Sequence, residues 1–357
     1  MTTLLPVVEV RHTTCTLDCP DTCSLAVTVT DGCITDVDAA PGNPLTDDWI
    51  CAKVKRHAER VYALERVLTP LVRVGPKGTG EFRPTTWDEA MQLIGDRMRS
   101  AIDAVGPEAV VAFTYNSSAP ANESNGMTEA FFAALGATEV EHTICAATVS
   151  AAWERVYGRM LSADPLDVVH AQLVVVWGAN PTVSNTHFPP LVQRAVERGA
   201  KVVVVDPRRT AMARRADLHL AVRPGTDAAL ALCIANQWAV DGLIDRAFVD
   251  RATSGAAELL AEAASWPLER AAEVCGVPAA DIATFASWYG STRPAMLRLG
   301  WGQERNANGG AACRAILALP ALGGHFGVRG GGAIGSTSDG TPVRTRRRWP
   351  EFERRDR

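Results

Sequence analysis

The chain has 357 residues, 47% of them hydrophobic and 21% charged, and a formal net charge of −4. That length accommodates two or three domains with their own cores, and the slightly acidic balance gives no electrostatic basis for nucleic-acid binding. No stretch reaches the roughly 18 unbroken apolar residues of a membrane span, and the N-terminus lacks a basic, long apolar or twin-arginine leader, so a cytoplasmic, reducing setting is expected.

Four cysteines come first along the chain. Cys15, Cys19 and Cys23 are spaced Cys-x3-Cys-x3-Cys, and Cys51 follows after 27 residues. Thiolates are soft ligands that suit iron–sulfur clusters or zinc. The Pro and Asp residues among the first three favour a loop that wraps one face of a cubane while a distant Cys closes the other. Zinc sites usually pair their ligands in two short knuckles, and Cys51 has no close partner. A 4Fe–4S cluster is the expected occupant, with zinc or structural thiols as alternatives; a disulfide framework suits short secreted chains.

Residues 24–37 read as a hairpin, with Leu25, Val27 and Val29 alternating, Asp31-Gly32 as the turn, and Ile34 and Val37 following. Cys33, just past the turn, is core or incidental. Thr86-x-x-Glu89 is a capping box ahead of Ala90, Leu93, Ile94 and Met98, so a helix is expected from Thr86. Val110–Phe113 reads as a short strand and Glu129–Leu135 as part of a helix. The clearest pattern is βαβ: Leu173–Trp177 and Lys201–Val205 are apolar strands flanking a helix over Leu191–Glu197, which predicts parallel pairing. Helices are expected at about 226–240, 255–264, 278–290 and 310–319, and a strand at Ala295–Leu299. Cys233 and Cys313 read as small apolar residues packed inside helices, and Cys275 as core or incidental at a helix end. Residues 323–335 form a glycine-rich loop suited to close approach by a ligand or another backbone. The last 17 residues contain seven Arg without an apolar period and read as a solvated or disordered tail.

Ligands of open α/β sheets bind beyond the carboxyl ends of parallel strands, where helix N-termini offer N–H groups to phosphate. Three segments have the chemistry for this. Gly178-Ala-Asn180-Pro181 supplies a tight turn and an amide. Asp206-Pro-Arg208-Arg209 supplies a carboxylate for a ribose or base and guanidiniums for phosphate. Arg223-Pro-Gly225-Thr226-Asp227 ends where a helix starts. No Gly-x-Gly-x-x-Gly follows a strand, so the ordinary NAD fingerprint is missing.

With the cysteines, these segments resemble the molybdopterin oxidoreductases, the family of formate dehydrogenases, nitrate reductases and dimethyl sulfoxide reductase. The resemblance runs from residue 12 to about 335. It passes through Cys51-Ala-Lys53, Thr86-Trp-Asp-Glu-Ala90, Trp177-Gly-Ala-Asn-Pro181, Val205-Asp-Pro-Arg-Arg209, Pro224-Gly-Thr-Asp227, Gly300-Trp-Gly-Gln303 and Asn308-Gly-Gly310. It implies a small, β-rich N-terminal iron–sulfur domain followed by Rossmann-like, parallel-sheet α/β domains. The boundaries would be a cluster domain over 1–58, the first half of a split pterin-binding domain over 59–141, a guanine-dinucleotide-binding domain over 142–335, and the tail over 336–357.

The implied cofactors are the 4Fe–4S cluster on Cys15, Cys19, Cys23 and Cys51, and bis(molybdopterin guanine dinucleotide) carrying Mo or W. By the same resemblance, Gly178 and Asn180 would lie at the dinucleotide phosphates, Asp206 and Arg208 at its nucleoside and Asp227 at its guanine, with Gly225 also among the cofactor-binding residues. Lys53 would stand between cluster and pterin. Cys145 falls where family members carry the Cys, selenocysteine or Ser that ligates the metal; read alone, it would be a buried core cysteine, and a thiolate at a helix N-terminus is electrostatically favoured. His142, close by, reads as structural. Formate dehydrogenases place His directly after the metal ligand where this chain has Ala146, and the x3 first gap differs from the usual x2. Formate oxidation is therefore not inherited.

The implied activity is a two-electron oxidation or reduction, or an oxygen-atom transfer, on a small-molecule substrate, with electrons relayed through the cluster to a partner protein. Family members are much longer, and the second half of the split domain and a C-terminal domain have no counterpart here. The expectation is a truncated or frame-shifted product that alone retains little molybdenum, unless another chain supplies the remainder. Two other readings are an inactive fragment and a metal-free iron–sulfur electron-transfer or structural protein such as the large iron–sulfur subunit of respiratory complex I. The latter normally carries further cysteine modules upstream, and here only 14 residues precede Cys15.

Overall fold

A computed structural model of the chain describes residues 6–113, 128, 130–141 and 143–335. His142, Glu129 and the Arg-rich tail lie outside the described residues. Among the described residues, the chain divides into two compact units, the first built from residues up to 141 without Cys19–Asp21, and the second from residues 143–335 together with Cys19–Asp21.

The first unit opens with a three-stranded antiparallel sheet of β1 (Val8–Thr14), β2 (Ser24–Thr30) and β3 (Cys33–Ala39), in that order. Asp31 and Gly32 both take positive φ, as the expected two-residue hairpin turn requires. Strand β1 is exposed along its whole length and is held by its ladder to β2, from Val8↔Thr30 to Thr14↔Ser24. Two short helices follow, α1 (Ala52–Lys55) and α2 (His57–Val61), then a hairpin of β4 (Leu71–Arg73) and β5 (Phe82–Pro84).

Helix α3 (Trp87–Val105) begins where the capping box placed it. The Thr86 hydroxyl accepts from Glu89 N–H at 3.2 Å, but the Glu89 carboxylate turns to Arg83 and the Thr85 hydroxyl instead of completing the box. Among the described residues, the expected strand Val110–Phe113 shows a single bridge, Val111↔Thr138, and of its four residues only Ala112 is buried. Residues 130–135 are helical and form α4.

The second unit is built on five parallel strands ordered β10-β9-β6-β7-β8: β6 (Leu173–Trp177), β7 (Lys201–Val205), β8 (Leu218–Leu220), β9 (Ala295–Leu299) and β10 (Gly332–Ile334). All five residues of β6 are buried, so both sheet faces are covered, as a parallel sheet demands. Val175, Trp177, Val203 and Val205 enter the main core with α8 (Asp227–Asp241), α12 (Ala279–Ser291) and α13 (Gly309–Leu322), and α5 (Ala147–Tyr157) packs on α13. The crossover from β6 to β7 runs through α6 (Pro181–Ser184) and α7 (Phe188–Glu197), whose Phe188, Leu191, Val192 and Ala195 are buried.

Sequence periodicity did not mark α9 (Arg246–Ala252), α11 (Leu268–Cys275), β8 or β10, whereas α10 (Ala256–Ala263) lies within the helix expected at about 255–264. Strand β10 comes from the glycine-rich segment, where a Cβ at Gly330 would fall 2.5 Å from the His170 carbonyl carbon. The close approach anticipated there is to backbone. Among the described residues, no helix is long and apolar enough to cross a membrane.

One buried group should make this unit acid-sensitive. His325 is fully buried and stacks on Tyr289 with ring centroids 5.1 Å apart. Burial, with Arg293 adding to it, lowers its pKa to about 4, while the Tyr289 backbone and nearby Asp245, itself paired to Arg293 at 2.8 Å, act the other way. The folded state keeps the ring neutral whereas the unfolded chain protonates it near 6.5, so stability falls as pH drops from about 6.5 to about 4, by roughly 3 kcal/mol over the window. His325→Phe, which keeps the stacking, should flatten that part of the melting-temperature profile. An unaltered profile would remove His325 as its cause.

Candidate functional site

Strand order places a crevice in the second unit. From β6 the chain builds outward through β7 and β8, then returns to the opposite side of β6 with β9 and β10. The point of reversal, between β6 and β9, is where ligands of open α/β sheets bind. The register is level there, with Trp177 opposite both Val205 and Leu299, so the segments beginning at Gly178, Asp206 and Gly300 leave the sheet at one edge.

Gly178 turns at φ +60°, donates its N–H to Val205 O at 2.8 Å and accepts from Gly302 N–H at 3.1 Å. A Cβ there would fall 2.3 Å from Gln303 Nε2, and one at Gly300 would fall 2.1 Å from Gly178 O. Gln303 is 2% exposed, and among the described residues neither oxygen nor nitrogen of its amide has a partner. An orphaned buried amide of this kind is costly unless a ligand, water or ion completes it. Backbone packed on backbone beside an unsatisfied amide fits the polar end of a bound cofactor.

Asn180 leads α6, its side-chain oxygen accepting from the Thr182 hydroxyl at 2.7 Å. Asp206 is buried; its Oδ1 accepts from Arg208 N–H at 2.7 Å, while the Arg208 side chain is exposed. Gly225 has φ +85°, and its carbonyl accepts from Asn308 Nδ2 at 2.8 Å. Asp227, in the first turn of α8, accepts from Trp177 Nε1 at 2.7 Å. Burial pushes the Asp227 carboxyl above its usual range and the charge of Asp206 adds to this, while the indole N–H acts against it. These six expected residues gather at the carboxyl ends of β6, β7 and β8.

The segment after β9 had no assigned role, although its Gly300-Trp-Gly-Gln303 and Asn308-Gly-Gly310 motifs were visible. It ties the crevice together: Gln303 lies behind Gly178 and Asn308 holds Gly225. Glu304 accepts from Ala146 N–H at 2.9 Å and Val149 N–H at 3.3 Å, and Arg305 donates to Ile144 O at 2.6 Å. Those last contacts fix the turn carrying Cys145. Cys145 is exposed, so its reading as a buried core cysteine is overturned: Ala146 takes a positive φ of 56°, which swings the preceding residues out of the packed α5. The field of that helix end is shared with the Glu304 carboxylate.

In the first unit, the loop from Cys15 to Cys23 is the β1–β2 hairpin connection, closed by Cys15 N–H to Cys23 O at 2.8 Å. Cys15 and Cys23 are buried in a small core with Leu25, Val37 and Val54, and Cys51, at the N-terminus of α1, packs against it. Burial raises the Cys15 thiol above its usual pKa; Leu17 N–H opposes this, Cys23 and Cys51 add to it, and Lys53 on α1 lowers it. Cys23, Cys51 and Lys53 are therefore close enough for their charge to reach Cys15. Cys19 belongs to the stretch counted with the second unit. Among the described residues, no three His, Cys, Asp or Glu side chains converge on a single-ion position. A cubane takes one thiolate on each of four irons and needs them spread apart, so the thiols in their apolar pocket fit a cluster. Cys33 is exposed, and Cys233, Cys275 and Cys313 are buried in the helical core.

Residues 66–341 match the molybdopterin oxidoreductase family, and residues 8–63 match the Fe4S4 domain of molybdopterin oxidoreductases. The chain belongs to the molybdopterin oxidoreductase family. It is 37% identical over 320 residues to the probable oxidoreductase YoaE of Bacillus subtilis, covering 90% of this chain and 47% of the relative. It is 30% identical to the dimethyl sulfoxide reductase DmsA of Escherichia coli, covering 90% and 44%. The fold is similar to that of acetylene hydratase from Pelobacter acetylenicus, with a TM-score of 0.70, 28% identity and coverage of 89% and 44%. The chain spans about half the length of the curated relatives it matches. Membership brings a 4Fe–4S cluster and a molybdopterin with Mo or W, and the thiol pocket and the β6–β9 crevice are the places whose chemistry fits them.

Proposed function

We propose that the chain is the cluster- and nucleotide-binding portion of an oxidoreductase that works on a small molecule and exchanges electrons with a partner protein. One observation carries this reading: the β6–β9 reversal point, with Gly178 and Gly300 in backbone contact and the Gln303 amide unsatisfied behind them. When bound, the molybdopterin would supply two-electron chemistry at Mo or W, and the cluster would pass electrons singly.

The chain's own residues would do the rest. Gly178 and Asn180 would receive the dinucleotide phosphates, the glycine by presenting bare backbone and the asparagine at the head of α6. Asp206, with Arg208 beside it, would take the nucleoside. Gly225 and Asp227 would receive the guanine, whose adjacent N–H donors match a carboxylate. Cys145, exposed on its positive-φ turn, would present the thiolate to the metal, held there by Glu304 and Arg305. Cys15, Cys19, Cys23 and Cys51 would hold the cluster, and Lys53 would place a positive charge beside it. Residues 1–58, 59–141 and 142–335 would serve as cluster, partial pterin-binding and guanine-dinucleotide-binding domains.

Guanosine diphosphate, the nucleotide end of the cofactor, provides the test. Wild-type chain should bind it saturably, and Asp227→Asn, which keeps an acceptor for Trp177, should weaken binding at least about tenfold, or 1.4 kcal/mol. Equal affinity for adenosine diphosphate, or an indifferent Asp227→Asn, would remove the guanine assignment. In cofactor-loaded protein, Cys145→Ala should abolish turnover while iron content and melting temperature hold. Retained turnover would end the metal-ligand role.

A further inference from the structure

The stretch Cys19–Asp21 is held in the second unit by contacts that converge on one carboxylate. Asp21 is 1% exposed. Its Oδ2 accepts from His187 N–H at 3.2 Å, lies 3.2 Å from His187 Nδ1 and accepts from the Thr186 hydroxyl at 3.3 Å, and its Oδ1 accepts from Asn185 Nδ2. Cys19 Sγ lies 3.4 Å from the same Oδ2 and 3.6 Å from Ser184 O. A carboxylate gripped this way cannot turn from the sulfur beside it.

The other end of the Asn185 amide faces a buried cation. Asn185 Oδ1 accepts from Arg298 Nε at 3.3 Å, and Arg298 Nη1 donates to Leu299 O at 2.6 Å. Arg298 is 7% exposed in β9, whose other residues, Ala295, Met296, Leu297 and Leu299, are apolar. Burial draws it down to about 10, and the charge of Asp21 raises it. An arginine in a strand core costs several kcal/mol unless an opposite charge and hydrogen bonds compensate, and Asp21 is the anion whose charge reaches it. The crevice residues account for neither group.

We propose that Asp21 and Arg298, joined through Asn185, form a buried charge pair that positions Cys19 and sets the electrostatic potential at that ligand of the 4Fe–4S cluster; the inference rests on the reading of Cys19 as a ligand. Once Cys19 is a thiolate on iron, its sulfur no longer donates to Asp21, and the fold keeps a carboxylate against it. Negative charge beside a cluster stabilises its oxidised form and lowers the reduction potential, a cation does the reverse, and low dielectric strengthens both. Asp21 and Arg298 are therefore positioning residues with opposed effects.

The full chain, reconstituted anaerobically with iron and sulfide, would be titrated redox-wise with the reduced-cluster EPR signal as readout. Asp21→Asn should raise the potential, Arg298→Gln should lower it, the double variant should return near wild type, and Asp21→Glu should stay near wild type, with iron content retained throughout. A structural defect would not shift the two single variants in opposite directions. Iron-replete variants with unmoved potentials, or with shifts in one direction, would overturn the charge pair. So would loss of iron in both Asp21→Asn and Asp21→Glu to the level of Cys19→Ser, which would make Asp21 a scaffold alone. Wild-type chain that takes up no iron, or keeps its iron in Cys19→Ser, would remove the ligand reading itself, and the inference with it.

Discussion

Gly300→Ala is expected to cost about 3 kcal/mol, near the upper end for overpacking, and to lower the melting temperature of the second unit by about 6–12 °C. Gly300 is buried at the end of β9 and donates its N–H to Trp177 O at 2.9 Å. The added methyl would lie 2.1 Å from Gly178 O, 2.6 Å from Gly178 C and 2.7 Å from Ala179 Cα. All three are backbone atoms of the neighbouring strand end, so no rotamer change relieves the overlap. Either β6 and β9 part where Trp177 faces Leu299, or the Gly178 turn is driven onto the buried Gln303 amide. Both deform the crevice, so guanosine diphosphate binding should fall with stability.

A comparison variant separates contact from conformation. Gly242, at the C-terminus of α8, has φ +68° with nothing within 4 Å of a built Cβ. Gly242→Ala should therefore cost only the left-handed strain of about 1 kcal/mol. Calorimetric melts of the two variants check the ordering. Equal, small losses would show that the crevice has room that the strand packing denies it.

Cys23→Ser should take the anaerobically reconstituted chain from about four iron to nearly none and abolish the cluster's absorbance and EPR signal. Cys23 is buried with Cys15 in the small core under the β1–β2 hairpin, so the change removes a thiolate and places a hydroxyl among Leu25, Val37 and Val54. An unpartnered buried hydroxyl costs about 1–3 kcal/mol, which also lowers the stability of the first unit. Cys33→Ser, at an exposed position past the hairpin turn, should leave iron and stability unchanged. Zinc recovered in place of iron, or iron retained in Cys23→Ser, would refute the assignment.

Much of the second unit could be read directly. Strands β6, β7 and β9 lie where expected because each is a short, mostly apolar run, led by Lys201 in β7 and interrupted by Arg298 in β9, rich in β-branched or long aliphatic residues and stopped by Gly or Asp-Pro. The hairpin turn at Asp31-Gly32 and the Thr86 cap carry their own local chemistry and survive almost any context. Strand β1 was missed for the opposite reason: all seven of its residues are exposed, so no burial pattern is written in it, and only the ladder to β2 makes it a strand. Helices α9 and α11 have seven and eight residues, too few for an apolar period to stand out from flanking loops.

The sequence by itself determined the family and the cofactors that come with it: thiol spacing, strand-end Gly and Asp residues and the family motifs are local, because ligand type and turn geometry depend on residue identity over a few positions. Tertiary structure alone decided what surrounds those groups. Burial and hydrogen-bond satisfaction are set by residues far away in the chain, so Gln303 reads as an ordinary polar residue until Gly178 closes over it. Cys145 reads as core until the positive-φ turn at Ala146 leaves it exposed. Asp21 reads as a turn former and Arg298 as an interruption in an apolar strand; 277 positions of chain separate them, and only the fold brings Asn185 between them to make one charge pair.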